Sequence, residues 1–444
     1  MIAARPIEFA SLTRRVLGSR GIRASAGRLS WGLADQAVSS LTNFAVGIFV
    51  ARSLGLVEFG IFSLAWVTYG VAQNITRGLA TDPLVVRFSG VPADHWRDAV
   101  PRSSGTALSV GCAAGLACLL GGIGIGGTLG AAFAALGIAL PALMLQESWR
   151  YAFFAAGVGR KAFVNDVVWA AALIPALIIA TKHGTVAGFV LAWGLASAPA
   201  AAFGCVQSGL FPRMSAIRGW LHAQRDLGYR YMVENVAASG SAQIRMYGLG
   251  AIAGLADVGA VRGAQLLLGP FLAVIMGLSM VAVPEGARVL RRDPGRLRWF
   301  CLALGWGQAF AALLWGLALL ILLPDHVGEF VLGDVWSSAK VLIVPTTVAL
   351  MGASLVNAGI TGVRTLGASR RSLRAHLFGA AAYVAGGVGG AALGGAAGST
   401  WGIAIAGMLS ATVWWSQLQA GLASHQAPID AEPDAADPDG RRRS

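Results

Sequence analysis

Apolar runs of about 20 residues, the length that crosses a bilayer as a helix, recur along most of this chain. The pattern predicts about twelve of them. In the first half they fall at 30–52, 59–82, 104–126, 129–153, 163–181 and 186–206. In the second half they fall at 231–252, 260–284, 299–323, 341–362, 374–396 and 401–422. A helix satisfies its own backbone hydrogen bonds, which lipid cannot do, so repeated runs of this kind predict an all-α integral membrane bundle. Between the halves, Ile217, Trp220, Leu221 and Leu227 recur at helical spacing among Arg213, Arg218 and Arg225, which predicts a short amphipathic helix on the membrane surface. The expected organisation is a basic segment 1–29, an N-lobe 30–206, a linker 207–229, a C-lobe 230–424 and a Pro- and Asp-rich tail 425–444 of disordered composition.

The two halves read as copies. Gly55-Leu-Val-Glu-Phe-Gly60 follows the first span and Gly254-Leu-Ala-Asp-Val-Gly259 follows the seventh. At the same offset Asp35-Gln36-Ala37 matches Glu234-Asn235-Val236, and Pro83-x-x-x-Arg87 matches Pro284-x-x-x-Arg288. Their shared order predicts an internal repeat, with both copies oriented alike because each has an even number of spans. Parallel repeats place a substrate site between the halves, near the membrane midplane.

Charge orients the bundle. The chain carries +13 formally, yet only 12% of its residues are charged, 56% are hydrophobic and mean hydropathy is +0.65. Basic groups cluster before the first span and then in alternate connections, at Arg97/Arg102, Arg160/Lys161, Arg213/Arg218/Arg225, Arg288 to Arg298 and Arg370/Arg371/Arg374. This is the positive-inside pattern of a multi-pass protein of the bacterial inner membrane with both termini cytoplasmic, and it calls for no nucleic acid. Cys112, Cys118, Cys205 and Cys301 lie in spans without metal-ligand spacing, and the His residues form no cluster, so no metal or cofactor is expected. No phosphate-cradling loop, nucleophile triad or large outward domain is present, which argues against an enzyme. The connection from Pro324 to Lys340 reads as a solvated loop. Gly111-x-x-x-Gly115, Gly122-x-x-x-Gly126 and Gly386-x-x-x-Gly390 read as close helix packing, and Pro175, Pro270 and Pro345 are expected to kink or break their spans.

Polar groups inside spans are costly and face an interior or a wet cavity. Span one carries Asp35, Gln36, Ser39, Ser40, Thr42 and Asn43 on one broad face. Span two carries Gln73, Asn74 and Arg77. Span seven places Glu234, Ser241 and Arg245 on one stripe, with Glu234 and Arg245 roughly 16 Å apart. Two readings of Arg77 and Arg245 stay open: cations paired with Asp35, Asp82, Glu147 or Glu234, or an anion site in a hydrated cavity assisted by Asn74, Gln73 and Asn43. Asp35 and Glu234 are expected to cap helices or form salt bridges, with ion coupling as the alternative. Glu147, Arg150 and Asp166 are expected to be a surface cluster.

Ala51-Arg-Ser-Leu-Gly-Leu-Val-Glu-Phe-Gly-Ile-Phe-Ser-Leu-Ala65 resembles the hinge between the first two spans of polysaccharide flippases, members of the multidrug/oligosaccharidyl-lipid/polysaccharide exporter superfamily. Gly333-Asp-Val-Trp-Ser-Ser-Ala339 and Leu366-Gly-Ala-Ser-Arg-Arg371 are similar to that family as well. The resemblance implies two pseudo-symmetric six-helix lobes in a V, alternating access, and a polyprenyl-diphosphate-linked oligosaccharide as cargo, with membrane lipid and polysaccharide-assembly proteins as partners. Span eight offers no counterpart to Arg77 in the stretch Leu272 to Leu278, so an anion site there is expected to be asymmetric. The competing expectations are a cation-coupled multidrug exporter using Asp35 and Glu234, and a membrane glycan polymerase or ligase.

Overall fold

In the computed structural model, which describes residues 19–426, the chain is helical, with no strand among those residues. The start of the basic segment and the acidic tail from 427 lie outside the described residues. The first half forms α1 (Ser19–Ser53) and α2 (Leu56–Thr76), which continues through a five-residue π-helical stretch, Arg77–Thr81, into α3 (Asp82–Phe88). It then forms α4 (Ala93–Ile125), α5 (Gly127–Ala155), α6 (Gly159–His183), and the broken pair α7 (Val186–Leu195) and α8 (Ser197–Ser208). A linking helix α9 (Ile217–Ala223) leads to the second half: α10 (Arg225–Ile252), α11 (Leu255–Arg292), α12 (Arg296–Leu322), the short α13 (Asp325–Leu332) and α14 (Val335–Val341), α15 (Ile343–Thr365) and α16 (Ser369–Gln426). α16 is two limbs, because Gly394 and Gly395 leave helical geometry and reverse the chain. Taking α2 with its continuations as one pass, α7–α8 as one and α16 as two, the described residues make twelve passes.

Eight described segments are long and apolar enough to cross a membrane by length and composition, and one of them, Arg370–Ser424, is long enough to cross twice. The passes outside that set are α1, α10 and α11. Their polarity has a location. α2 packs against α10 and α11, α10 also meets the π-helical stretch, and α1 meets α11. The least apolar helices are therefore those that join the two lobes, shielded from lipid by their neighbours. Helix ends also run past the apolar limits, α10 starting at Arg225 and α11 ending at Arg292, since nothing in water stops a helix whose residues favour it. Pro175 sits inside α6, which continues through it, and Pro345 falls in the first turn of α15, where its missing N–H costs nothing.

Two expectations are corrected here. The linker does not simply lie on a surface: Trp220 is buried, stacks on Phe88 with ring centroids 5.9 Å apart, and donates its Nε1–H to the Leu79 carbonyl at 3.0 Å. An amphipathic pattern specifies an apolar face, and here protein covers that face. The connection from Pro324 to Lys340 is not a solvated loop either. Trp336 is buried and donates to Asp325 at 3.0 Å, while Lys340 reaches the same oxygen at 2.5 Å and holds the Asp325 carboxyl below its ordinary range. Arg52 of α1 lies 4.1 Å from the Phe330 ring centroid, and Val335 of α14 packs over Gly263 of α11. These two short helices tie the C-lobe to α1.

The glycines do pack helices. Gly115 opposes Gly137 and Gly122 opposes Gly130 across the α4–α5 hairpin; Gly386 opposes Gly402 and Gly390 opposes Gly398 across the limbs of α16. The tightest approach between lobes comes from the repeated glycine hexamers. A methyl on Gly60 would overlap the Leu255 carbonyl, and one on Gly259 would overlap the Leu56 carbonyl. Equivalent residues of the two halves thus meet each other, as they must at a two-fold pseudo-axis. This contact lies at the end of the bundle away from the arginine-rich connections. Gly60→Ala is expected to cost about 1–3 kcal/mol by overpacking, read as a lower melting temperature of purified protein. Gly121→Ala, with nothing within 4 Å of the added carbon, serves as the control. Equal melting of the two variants would refute the tight contact.

Candidate functional site

Five ionisable side chains from four helical segments meet inside the N-lobe. Arg77 opens the π-helical stretch one turn after Gln73, so both point the same way. Arg77 donates to Glu147 Oε1 through Nη2 at 2.6 Å and Nε at 2.9 Å, and Gln73 Nε2 reaches the same oxygen at 3.1 Å. On the next turn of α5, Arg150 donates through Nε to Asp35 Oδ2 at 2.6 Å and lies 3.7 Å from Asp166 Oδ2. Arg150 Nη2 also reaches Gln36 Oε1 at 3.3 Å, and Gln146 Nε2 donates to Asp166 Oδ1 at 2.8 Å. Asp35, Glu147 and Asp166 are all buried.

This arrangement overturns the surface-cluster expectation. Nearness to a span end fixes depth along a helix but not which way the helix turns its face. Asp35 caps nothing; it lies well inside α1 and pairs with Arg150. Arg77 takes the pairing alternative, with a carboxylate answering its charge. Three carboxylates stand against two guanidiniums, and Asp35 Oδ1 and Asp166 Oδ2 accept no hydrogen bond.

Between the lobes, α2 and α10 are tied by polar contacts along their length. The hydroxyls of Thr68 and Tyr247 are 2.7 Å apart, Asn74 Nδ2 donates to Ser239 Oγ at 2.7 Å, and Asn235 Nδ2 donates to Asp82 Oδ2 at 2.7 Å. At the arginine-rich end Arg87 donates to Gln224 Oε1 at 2.8 Å and the Ala223 carbonyl at 3.0 Å, and pairs with Asp226. Asn74 thus joins the lobes. α1 meets α11 where Gly47 lies beneath Leu266 and Phe44 beside Gly269. Asn43, one residue away, is partly buried and its Oδ1 has no donor. Glu234 is exposed, away from the N-lobe cluster. Arg245 does not face the other lobe. It turns into the C-lobe, against Gly387 and Tyr383 of α16, and is 1% exposed.

The cation that does face the other lobe is Arg262 of α11, which the sequence reading did not single out. Its guanidinium carbon lies 5.6 Å from the ring centroid of Trp66 on α2. Trp66 in turn stacks on Trp193 at 4.6 Å, and Tyr69 meets Trp193 edge-on at 5.1 Å. Arg262 is partly exposed, and its recorded hydrogen bond is a long one, 3.5 Å, to Gln265 on its own helix. Among the described residues no carboxylate pairs with it. It lies about 10 Å along α11 from Leu255. The signal was present as an arginine inside an apolar span, but the search for a partner to Arg77 was aimed several turns further on, at Leu272 to Leu278. Among the described residues no group of three or more His, Cys, Asp or Glu side chains could hold a metal ion.

No protein-family model and no curated protein matches the chain. Solved structures do. An inward-facing multidrug-resistance MATE-family transporter of the MOP superfamily superposes with a TM-score of 0.65 at 16% identity, over 87% of this chain and 94% of that one. The lipid II flippase MurJ in an inward closed conformation gives a TM-score of 0.67 at 10% identity, over 89% of each chain. An outward-facing MATE-family transporter gives 0.51 at 16% identity, over 88% of this chain and 94% of that one. These likenesses establish the fold: two lobes of six membrane-spanning helices, the architecture of alternating-access transporters. At equal identity the inward-facing arrangement fits better, in keeping with the close Gly60–Gly259 contact away from the arginine-rich end.

Removing one member of a buried ion pair strands the other, at about 3–5 kcal/mol, whereas removing both partners is far milder. Arg77→Gln is therefore expected to destabilise the purified protein, and Arg77→Gln with Glu147→Gln to recover much of the loss in thermal denaturation. Additive losses would show that the pair is not the reason for the burial of Glu147.

Proposed function

We propose that this protein is a flippase that carries a polyprenyl-diphosphate-linked oligosaccharide across the bacterial cytoplasmic membrane for surface-polysaccharide assembly. The observation that supports this reading is the carboxylate-free Arg262, set against the aromatic bed of Trp66, Tyr69 and Trp193 at the meeting of the lobes. A guanidinium gives planar, paired hydrogen bonds to phosphate oxygens and never loses its charge. Aromatic faces offer a flat apolar surface with polar edges, which suits the C–H faces of a sugar ring. A diphosphate and its first sugar together need both features side by side. The role first assigned to Arg77 and Arg245 passes to Arg262, because Glu147 occupies the one and the C-lobe encloses the other.

In this reading the arginine-rich end faces the cytoplasm, the cargo enters between the lobes with its lipid tail left in the bilayer, and the lobes rock to release the glycan outside. Outward movement of negative charge is favoured by an inside-negative potential, by about 2.3 kcal/mol per charge per 100 mV. The chain binds and moves its cargo and makes or breaks no bond in it. A second reading, a cation-coupled exporter, is favoured by the surplus carboxylate of the N-lobe cluster, where Asp35 and Asp166 each keep an oxygen without a donor.

Arg262→Ala is expected to lower glycan export at least about tenfold, the size of a lost charge-assisted contact, with Arg262→Lys retaining part of it and Trp66→Ala intermediate. The assay is surface polysaccharide in cells that depend on this protein, with membrane levels of each variant matched. Normal export by Arg262→Ala would end the head-group proposal. Drug efflux that is lost in Asp35→Asn but kept in Arg262→Ala would favour the exporter.

A further inference from the structure

Arg245 presents a different problem from every other buried arginine described here. Arg77 and Arg150 each meet a carboxylate, but Arg245 does not. It is 1% exposed, and its Nε and Nη1 have no hydrogen-bond partner. Its Nη2 donates to the Met246 sulfur at 3.2 Å, a weak acceptor, and the Tyr383 ring centroid lies 5.8 Å from its guanidinium carbon. A guanidinium cannot escape by losing its proton, and a lone charge buried in a membrane helix bundle is among the costliest groups a protein can carry. The position is also shaped for this side chain. At Gly387 an added methyl would sit 2.5 Å from Arg245 Cγ and 2.7 Å from Cδ, so α16 leaves room there for the arginine stem.

We infer that Arg245 marks a small-anion site enclosed within the C-lobe, between α10 and the first limb of α16, with chloride as the class of ligand. The two unpaired nitrogens supply the donors, and the edge of the Tyr383 ring supplies a weakly positive wall. Enclosure sets the size. A residue 1% exposed inside one lobe meets a single-atom anion, whereas a lipid diphosphate with its sugar needs the opening between lobes. The anion answers the charge that the N-lobe answers with its own carboxylates, and so stabilises the packing of α10 on α16. This site stands whatever the cargo at Arg262.

The test is thermal denaturation of the purified full-length protein in detergent, with sodium chloride replacing sodium gluconate at constant ionic strength. The expected result is a melting temperature that rises with chloride and saturates, because a ligand bound to the native state alone stabilises it by mass action. Arg245→Gln is expected to lose that shift, Arg245→Lys to need more chloride for it, and Arg262→Gln to keep it unchanged. A flat response in the unmodified protein, an undiminished one in Arg245→Gln, or equal stabilisation by phosphate would each overturn the proposal. Should Arg245→Gln fail to fold, bromide soaked into crystals of the unmodified protein decides. An anomalous peak beside Arg245 supports the site, and its absence there refutes it. A melting shift that is lost in Arg262→Gln but kept in Arg245→Gln would place the anion at the cargo site instead.

Discussion

A guanidinium in hydrocarbon must be answered from within the protein, and that demand organises this molecule more than any single packing contact. Hydrophobic burial cannot choose between one helix arrangement and another when the solvent is itself apolar; close packing and polar contacts do so. In the N-lobe, Arg77 and Arg150 gather Asp35, Glu147 and Asp166 from three other helical segments, and this fixes how α1, α2, α5 and α6 face one another. In the C-lobe the same demand falls on Arg245 without a carboxylate nearby. Between the lobes it falls on Arg262, which meets an aromatic ring instead. These three answers to one constraint correspond to a framework, an enclosed site and an open one.

The interface between the lobes follows the same logic of cost. Its helices are the ones too polar to be read as spans from composition alone, and their polar faces are spent on each other through Asn74–Ser239, Thr68–Tyr247 and Asn235–Asp82. Such hydrogen bonds between neutral side chains are worth about 1 kcal/mol each. They hold the lobes in register, yet each is individually weak enough to exchange for another partner or for water.

Much of this was legible in the sequence. Apolar runs marked the passes, glycine spacing marked the hairpins, and the matching hexamers around Gly55–Gly60 and Gly254–Gly259 marked residues that touch. These are local signals, carried by neighbours along one helix. What could not be read was azimuth and company. Glu147, Arg150 and Asp166 looked like surface charges because they sit near span ends. Only the folded chain brings Asp35, more than a hundred residues away in sequence, against Arg150. Arg262 was passed over for a related reason: the search assumed that a charge in one half has a counterpart at the same offset in the other. Duplication preserves the backbone plan while each copy changes its side chains independently. Trp220 and the segment from Pro324 to Lys340 show the remaining limit, since an amphipathic pattern does not say whether protein or membrane covers the apolar face.

The glycine pair at the pseudo-axis has a mechanical consequence. Points on an axis of rotation do not travel, so backbone in contact there acts as a fulcrum, and the long helices α2 and α10 become levers. A rock of about 10° would leave Gly60 and Gly259 in place, yet carry the far tips of those levers, about 30 Å away, through about 5 Å. Arg87 and Asp226 sit at those tips, partly in water, where parting an ion pair costs little. A joint with rigid backbone at its pivot and weak, hydrated fasteners at its swinging end turns small torques into wide openings.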